Sequence, residues 1–425
     1  MNEDLLHTIW KFKLTKKTDY IGSKGEIIKV VSIGEHNSNS GPDFFNSKIE
    51  IDGILLAGNV EIHIKTSDWL KHNHQINKAY DNLILHVVYE HDTELEQNNL
   101  HNVPALLLKD VIAPSILDKY KQLETSKSKI ACGKSISKVD SFILNSWLDR
   151  LLIARLEDKT DYINTLFEFT KNNLEETLYI LLFRNFGFKI NDEAFELLAK
   201  SLPYNVNKKY ADNITQLEAL LFGTAGMLNE LFTDKYPKQL QNEFEFLKHK
   251  HSIVPIKNEM WKFSKTRPVN FPTIRISQMA NLLSKQQSLF HFIENKPSIE
   301  AIRAYFDIET HEYFKTHFQF DSVSASSTKK LGETAINTII INTIVPFLFF
   351  VSQLNSNQEL QEYALNLLSE ISAEQNSKIK LFQLLGINPK NAFETQALIK
   401  LYNSFCSKKA CLHCAIGKDL LKNAK

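Results

Sequence analysis

The sequence predicts a small mixed α/β domain followed by a large helical one. Residues 1–110 alternate short β-branched runs with polar turns, whereas from about residue 137 apolar residues recur at helical spacing. Glycine follows the same division, with six of the 13 falling within the first 58 residues. Charge does too: the formal +1 of the whole chain is a net −5 over residues 1–125 set against +6 over the remainder. With 425 residues, 43% hydrophobic and 23% charged, the chain lies in the globular range, so wholesale disorder is excluded. A net charge so near zero gives no global electrostatic reason to bind a polyanion or a membrane.

Taken in order, residues 3–12 put Leu5, Leu6, Ile9 and Trp10 on one helical stripe. Residues 26–32 form a β-branched run, followed by an Asn/Ser-rich loop at 34–42. Strands at 44–51 and 54–65 are joined by Asp52-Gly53, a strong hairpin signal. Ser67 or Asp68 caps a short helix reaching about residue 80. The nearly continuous apolar run at 83–89 suits a strand buried on both faces, and 103–108 adds a last strand. The order is α-β-β-β-α-β. Domain 1–125 is therefore α/β, 126–136 is a Lys/Ser-rich linker, 137–400 is helical and 401–425 is a Cys-rich terminal segment. Helices are expected at 142–156, 174–186, 192–200, 216–231, 274–290, 298–305, 333–354 and 358–371. No fixed repeat period is present.

The N-terminus lacks a basic stretch and a long apolar one, and four cysteines do not make a disulfide framework. A cytoplasmic, reduced protein is expected. Residues 334–352 carry no charge, yet they include two asparagines and Pro346 and lack aromatic or basic anchors on both sides, which reads as a buried core helix rather than a membrane span.

The most informative stretch is Gly41-Pro42-Asp43-Phe44 and, after the hairpin, Gly58-Asn59-Val60-Glu61-Ile62-His63-Ile64-Lys65. Strand periodicity sends Val60, Ile62 and Ile64 one way and Glu61, His63 and Lys65 the other. Such a row is either the wet face of an amphipathic strand or a site. As a site, Asp43 and Glu61 share a hard divalent cation, Mg²⁺ or Mn²⁺, and His63 or Lys65 assists. Register decides between these readings. A strict two-residue turn pairs Asp43 with Ile62, on the face opposite Glu61, so the site requires a longer turn or a bulge at Gly58.

This pattern resembles the PD-(D/E)XK nuclease superfamily, whose αβββαβ, restriction-endonuclease-like core carries a Pro-Asp strand beside a Glu-x-Lys strand. The superfamily lysine position, two after Glu61, holds His63 here, with Lys65 one pleat further. Nearly the whole chain is similar to the uncharacterised bacterial domain-of-unknown-function family 2851, through Ser67-Asp68-Trp69, His72-Asn73-His74, Leu85-His86-Val87-Val88-Tyr89, Phe222-Gly223-Thr224-Ala225-Gly226, Arg267-Pro268-Val269-Asn270-Phe271-Pro272 and Cys411-Leu412-His413-Cys414. The resemblance implies a metal-dependent nuclease acting on DNA or RNA. The alternative is an inactive nuclease-like protein that binds nucleic acid or serves as a scaffold.

Asp68 and His72, four apart, share a helix face and can line the cleft, while His72 and His74 diverge on a regular helix and make a poor metal pair. Glu3 or Asp4 offers a further acid, and His86 reads as a hydrogen-bonded core histidine. Arg267 and Arg275 are two of only six arginines and can clamp phosphates, or pair structurally around Pro272. Gly223 to Gly226 reads as a helix–helix contact. Cys406-x₄-Cys411-x₂-Cys414 has soft-metal spacing, and Cys132 is the natural fourth ligand for zinc or an iron–sulfur cluster.

Overall fold

The computed structural model describes residues 1–15, 19–95, 103–285 and 287–424. Two compact units emerge: Met1–Leu151 with Gln375–Asn388 and Ala397–Lys425, and Leu152–Glu374 with Pro389–Gln396. The Cys-rich terminal segment thus belongs to the same unit as the N-terminal sheet.

In the first unit, helix α1 (Glu3–Lys11) precedes β1 (Asp19–Ile21), β2 (Ile27–Ser32), β3 (Glu35–His36), β4 (Phe44–Ile51) and β5 (Ile54–Lys65). Next come the short helix α2 (Asp68–Lys71), β6 (Leu83–Glu90), β7 (Ala105–Leu107) and α3 (Pro114–Thr125). The strands form one sheet in the order β1-β2-β4-β5-β6-β7, with β3 also paired to β4. Pairing is antiparallel as far as β5, then parallel from β5 to β6 and from β6 to β7. A parallel step needs a crossover, which α2 and two single 3₁₀ turns provide. The expected helix from 67 to 80 is therefore broken into three pieces. β1 and β3 are additions to the expected strands, because three- and two-residue strands carry no measurable alternation.

The apolar stripe of α1 packs on Phe44, Val60, Ile62, Leu85 and Val87, all 0–1% exposed. Each such side chain contributes roughly 1.5–3 kcal/mol through burial. Leu412 and Leu421 of the terminal segment join this same core. On the other face of the sheet a smaller cluster of Trp69, Tyr80 and Leu83 covers β5 and β6.

The second unit is helical. Leu174–Phe186 and Gln358–Glu370 lie within a residue of expectation, while Lys235–His251 is a helix the spacing did not reveal. The expected helix at 274–290 is two, Pro272–Leu283 and Leu289–Glu294, and residue 286 lies outside the described residues. Gly223 sits where an added Cβ would lie 2.1 Å from the Phe244 ring, so a glycine lets the helices Ile214–Thr224 and Lys235–His251 meet. The uncharged segment forms Glu333–Ile339, a π turn at Ile340–Ile344 and Val345–Leu354. This is the one described helix long and apolar enough to cross a membrane, and 67% of its apolar window is buried in the protein. Pro346 cannot donate to the Asn342 carbonyl, and the side-chain amide of Asn185 donates there instead at 3.0 Å. Lys159 donates to the Ile341 carbonyl at 3.1 Å, its pKa pushed down to about 7 by burial.

Candidate metal centre

β4 and β5 begin from a two-residue turn, with Ile51 opposite Ile54, and both Asp52 and Gly53 adopt positive φ. Continued unchanged, that register would send Asp43 to the wrong face. It does not continue. Ser47 pairs with Gly58, but Phe44 pairs with Val60, so one extra residue is inserted on β4. The insertion coincides with Asn46, whose φ of 55° is tolerated best by Asn, Asp or Gly. The register shift that the site requires is therefore present, one strand away from where it was expected. Gly58 serves the neighbouring strand instead, since a Cβ there would lie 2.4 Å from Ile84 and 2.7 Å from the Asn82 carbonyl, blocking the entry of β6.

With the parity reversed, Asp43 meets Glu61. The Asp43 amide donates to Glu61 Oε2 at 3.1 Å, and the Ile62 amide donates to Asp43 Oδ2 at 2.9 Å. His7, from α1, contacts the same Asp43 Oδ2 through Nε2 at 3.1 Å. Glu61 and His63 are only 5% and 1% exposed, which removes the wet-face reading for both. Lys65 is exposed, and its backbone amide donates to Asp68 Oδ2.

Histidines converge on the other oxygen of Glu61. His74 Nε2 lies 3.2 Å from Glu61 Oε1, and His63 Nε2 lies 3.5 Å from it. His72 Nδ1 is 3.1 Å from His63 Nε2. His63, His72 and His74 offer ligand atoms all within 4.8 Å of one another. Helix geometry would have parted His72 from His74, but α2 ends at Lys71 and Asn73 turns left-handed at φ 59°, folding His74 back. The available signal was Asn73 itself, since asparagine enters the left-handed region more readily than other side chains. His74 stacks on Tyr80 at 4.0 Å between centroids, with Trp69 edge-on to both. Behind His63, its Nδ1 meets Nε2 of the buried His86 at 2.9 Å. His86 is thus a hydrogen-bonded core histidine, as expected.

Electrostatics suit a cation. Burial, then the neighbouring Asp43, holds the Glu61 carboxyl well above the usual carboxylate range. Burial, reinforced by the surrounding imidazoles, pushes His63 down to about 2, His86 to about 3 and His74 to about 4. These imidazoles are therefore neutral at pH 7, the form in which they ligate metals. The buried Nε2 of His74 makes no well-aligned hydrogen bond, its near neighbour being Glu61 Oε1 at 3.2 Å. A tetrahedral ion with bonds of about 2.0–2.1 Å separates its donor atoms by roughly 3.3–3.4 Å. Three pairs bracket that value, His63–His72 at 3.1 Å, His74–Glu61 at 3.2 Å and His63–Glu61 at 3.5 Å. At the rim, burial works against protonation of His7, but its bond to Asp43 prevails and its pKa is raised. Glu3 joins from α1, its carboxyl raised by burial and influenced by His72 and Asp43. Asp68 pairs with Lys71 at 2.6 Å.

A family model described as "Protein of unknown function (DUF2851)" matches residues 3–377. The chain belongs to the DUF2851 family. Among curated proteins and among solved structures, nothing matches. The match takes in every histidine and carboxylate of the cluster as well as Arg267 and Arg275, which belong to the second unit. Arg267 is exposed and lines a cavity of about 250 Å³ with Lys265, Thr266 and Asn270. Arg275 is 5% exposed; its guanidinium donates to Gln278 and Asn270 and lies over the Phe188 ring, which leaves it as part of the interior.

Proposed function

We propose that this DUF2851 chain is a metal-dependent hydrolase, with phosphodiesters of DNA or RNA as the substrate class, and that its metal sits on Glu61, His63, His72 and His74. The observation that carries the reading is the convergence of His63, His72 and His74, whose ligand atoms all lie within 4.8 Å of one another, with Glu61 Oε1 at 3.2 Å from His74 and 3.5 Å from His63. Imidazole-rich donors suit Zn²⁺ or Fe²⁺ better than the Mg²⁺ or Mn²⁺ expected from Asp43 and Glu61 alone, because those ions prefer oxygen ligands. When bound, such an ion polarises a substrate oxygen and lowers the pKa of a coordinated water.

The protein's own groups supply the rest. Asp43 orients His7, which its raised pKa keeps partly protonated near neutrality and suited to protonating a leaving oxygen. His86 fixes the ring of His63, so that Nε2 faces the site. Lys65, on the same face of β5, offers a cation at the open end. Support for the phosphodiester class comes from the arrangement of elements: a leading helix, antiparallel β2, β4 and β5, then parallel β6, with Asp43 at the entry of one central strand and Glu61 on the next. That arrangement is the one on which the nuclease resemblance rests.

The test is metal content and cleavage of single- and double-stranded DNA and RNA with Mn²⁺, Zn²⁺ and Mg²⁺, comparing wild type with Asp43→Ala, Glu61→Ala and His63→Ala. Cleavage by wild type that falls at least 100-fold in all three variants is expected. Metal binding without cleavage of any substrate would leave the alternative, a nuclease-like binding or scaffold protein.

A further inference from the structure

The four cysteines belong to the first unit, and none forms a disulfide. The second unit holds a cavity of its own, where two of its loops meet. Between the helices Leu174–Phe186 and Asp192–Ser201 the chain turns at Phe188 and Lys189, with φ of 46° and 71°. A Cβ on Gly187 would lie 2.4 Å from the Asn191 backbone, so this loop closes tightly. Asn191, 4% exposed, grips the second loop. Its Oδ1 accepts from the Lys262 amide at 2.8 Å, and its Nδ2 donates to the Lys262 carbonyl at 3.0 Å. Lys265 follows, left-handed at φ 65°. Left-handed residues other than glycine cost energy, persist where their surroundings impose them, and cluster at ligand clamps.

The cavity, of about 250 Å³, has an apolar wall of Phe188 and Ile190 and a polar wall of Lys265, Arg267 and Asn270. Thr266 also lines it, but its hydroxyl is spent on the Phe263 carbonyl at 2.6 Å. No acidic side chain is among the described residues of the lining. Arg275, 5% exposed, lies behind both walls. Its guanidinium sits 4.5 Å from the Phe188 ring centroid and donates to Asn270 Oδ1 at 2.6 Å and Gln278 Oε1 at 2.7 Å. Its buried Nε has no hydrogen-bond partner. Among the described residues no carboxylate pairs with Arg275, Arg267 or Lys265. Buried charges ordinarily carry a partner, so this one is uncompensated. Burial lowers its pKa only to about 10, which leaves it charged at neutral pH. A guanidinium can only donate, so Asn270 turns its carbonyl oxygen inward and keeps Nδ2 as a donor on the cavity wall.

We propose that this cavity binds the phosphate of a small phosphomonoester, held by Lys265, Arg267 and the Asn270 amide, with Arg275 supplying charge from behind. The site lies within the second unit and does not depend on the hydrolase reading. Charge selects the ligand class: three cations without acids suit a monoester of about −1.5 to −2 better than the single charge of a carboxylate or a diester. Volume selects a small molecule, since pockets for such ligands begin at about 300 Å³. Phe188 and Ile190 offer an apolar surface to the rest of it.

The experiment is calorimetric titration of the full chain in EDTA, so that no metal holds phosphate. The probes are inorganic phosphate, AMP, acetate and a hydroxyl-ended dinucleotide whose one phosphate is a diester. Phosphate and AMP are expected to bind, with acetate and the dinucleotide about tenfold weaker or more. Lys265 and Arg267 are exposed, so Arg267→Ala and Lys265→Gly, which tolerates the left-handed angle, should stay folded yet lose about tenfold or more in affinity. Asn270→Asp hands Arg275 a carboxylate; it should abolish phosphate binding while thermal stability holds or rises. Unchanged phosphate binding in that stable variant would mean that the Arg275–Asn270 contact is structural alone, and would overturn the site. So would no binding of phosphate or AMP at millimolar concentration, equal binding of acetate or the dinucleotide, or undiminished affinity in Arg267→Ala.

Discussion

The Asp43 amide donates to Glu61 Oε2 at 3.1 Å, across a ladder that would have separated the two residues had β4 not gained one residue at Asn46. Two carboxylates expected from sequence meet only because one backbone angle is positive. Asn46→Val should therefore destabilise the protein by about 1–3 kcal/mol, read from urea unfolding, and weaken metal binding. Asn46→Gly should keep both close to wild type. Equal effects of valine and glycine would show that the left-handed angle is unimportant.

His74 is held by Asn73 in the same manner. Asn73→Gly is expected to retain metal, whereas Asn73→Val should lower affinity at least tenfold and His74→Ala more. His86 sits directly behind His63, so His86→Phe should cost roughly 10–100-fold in affinity, the range for partners behind a ligand. Calorimetric titration with Zn²⁺ and Mn²⁺ measures all four variants.

Stability of the metal-free protein should fall in acid. His63 and His86 bind protons in the unfolded chain below about pH 6.5 but not in the native state until about 2 and 3. Unfolding therefore takes up protons, and stability is lost as pH falls from about 6.5. Each buried histidine adds a slope of up to about 1.4 kcal/mol per pH unit. Urea midpoints between pH 7 and pH 4.5 provide the check. His86→Phe should flatten the profile.

Glu61 acts in the opposite sense. Its native pKa is raised, so the unfolded chain releases the proton first, and stability declines as pH rises above about 4.5. Glu61→Gln should stabilise the metal-free protein at pH 7 by at least about 1 kcal/mol while abolishing metal binding. A destabilised Glu61→Gln variant would mean that the native carboxyl is ionised at neutral pH.

Gly223→Ala tests the second unit by itself. The added methyl meets the Phe244 ring at 2.1 Å, and overpacking of this kind costs about 1–3 kcal/mol. A variant as stable as wild type in thermal unfolding would show that the helices part freely.

Much of the architecture is legible in the sequence because periodicity encodes burial. Leu5, Leu6, Ile9 and Trp10 lie on the buried stripe of α1, and Val60 and Ile62 fill the core while Glu61 and His63 face away. Elements too short to carry a period, such as β1 and β3, leave no such signal, and neither do breaks made by single positive angles. Residues 68–80 read as one helix; Asn73 breaks it, and that break is what makes three histidines neighbours.

By itself the sequence determined an α/β region before a helical one, a hairpin at Asp52-Gly53, the pairing of Glu61 with His63 on one face, and the soft-metal spacing of the last three cysteines. Alternation and spacing along the chain are local properties, and these features need nothing more. Only the tertiary structure decided that Asp43 faces Glu61, that His72 and His74 join His63, and that Arg275 is interior. Each of these depends on a register shift, a left-handed residue or a long-range contact, and a protonation state follows from burial among specific neighbours. Those quantities exist only once the chain has closed on itself.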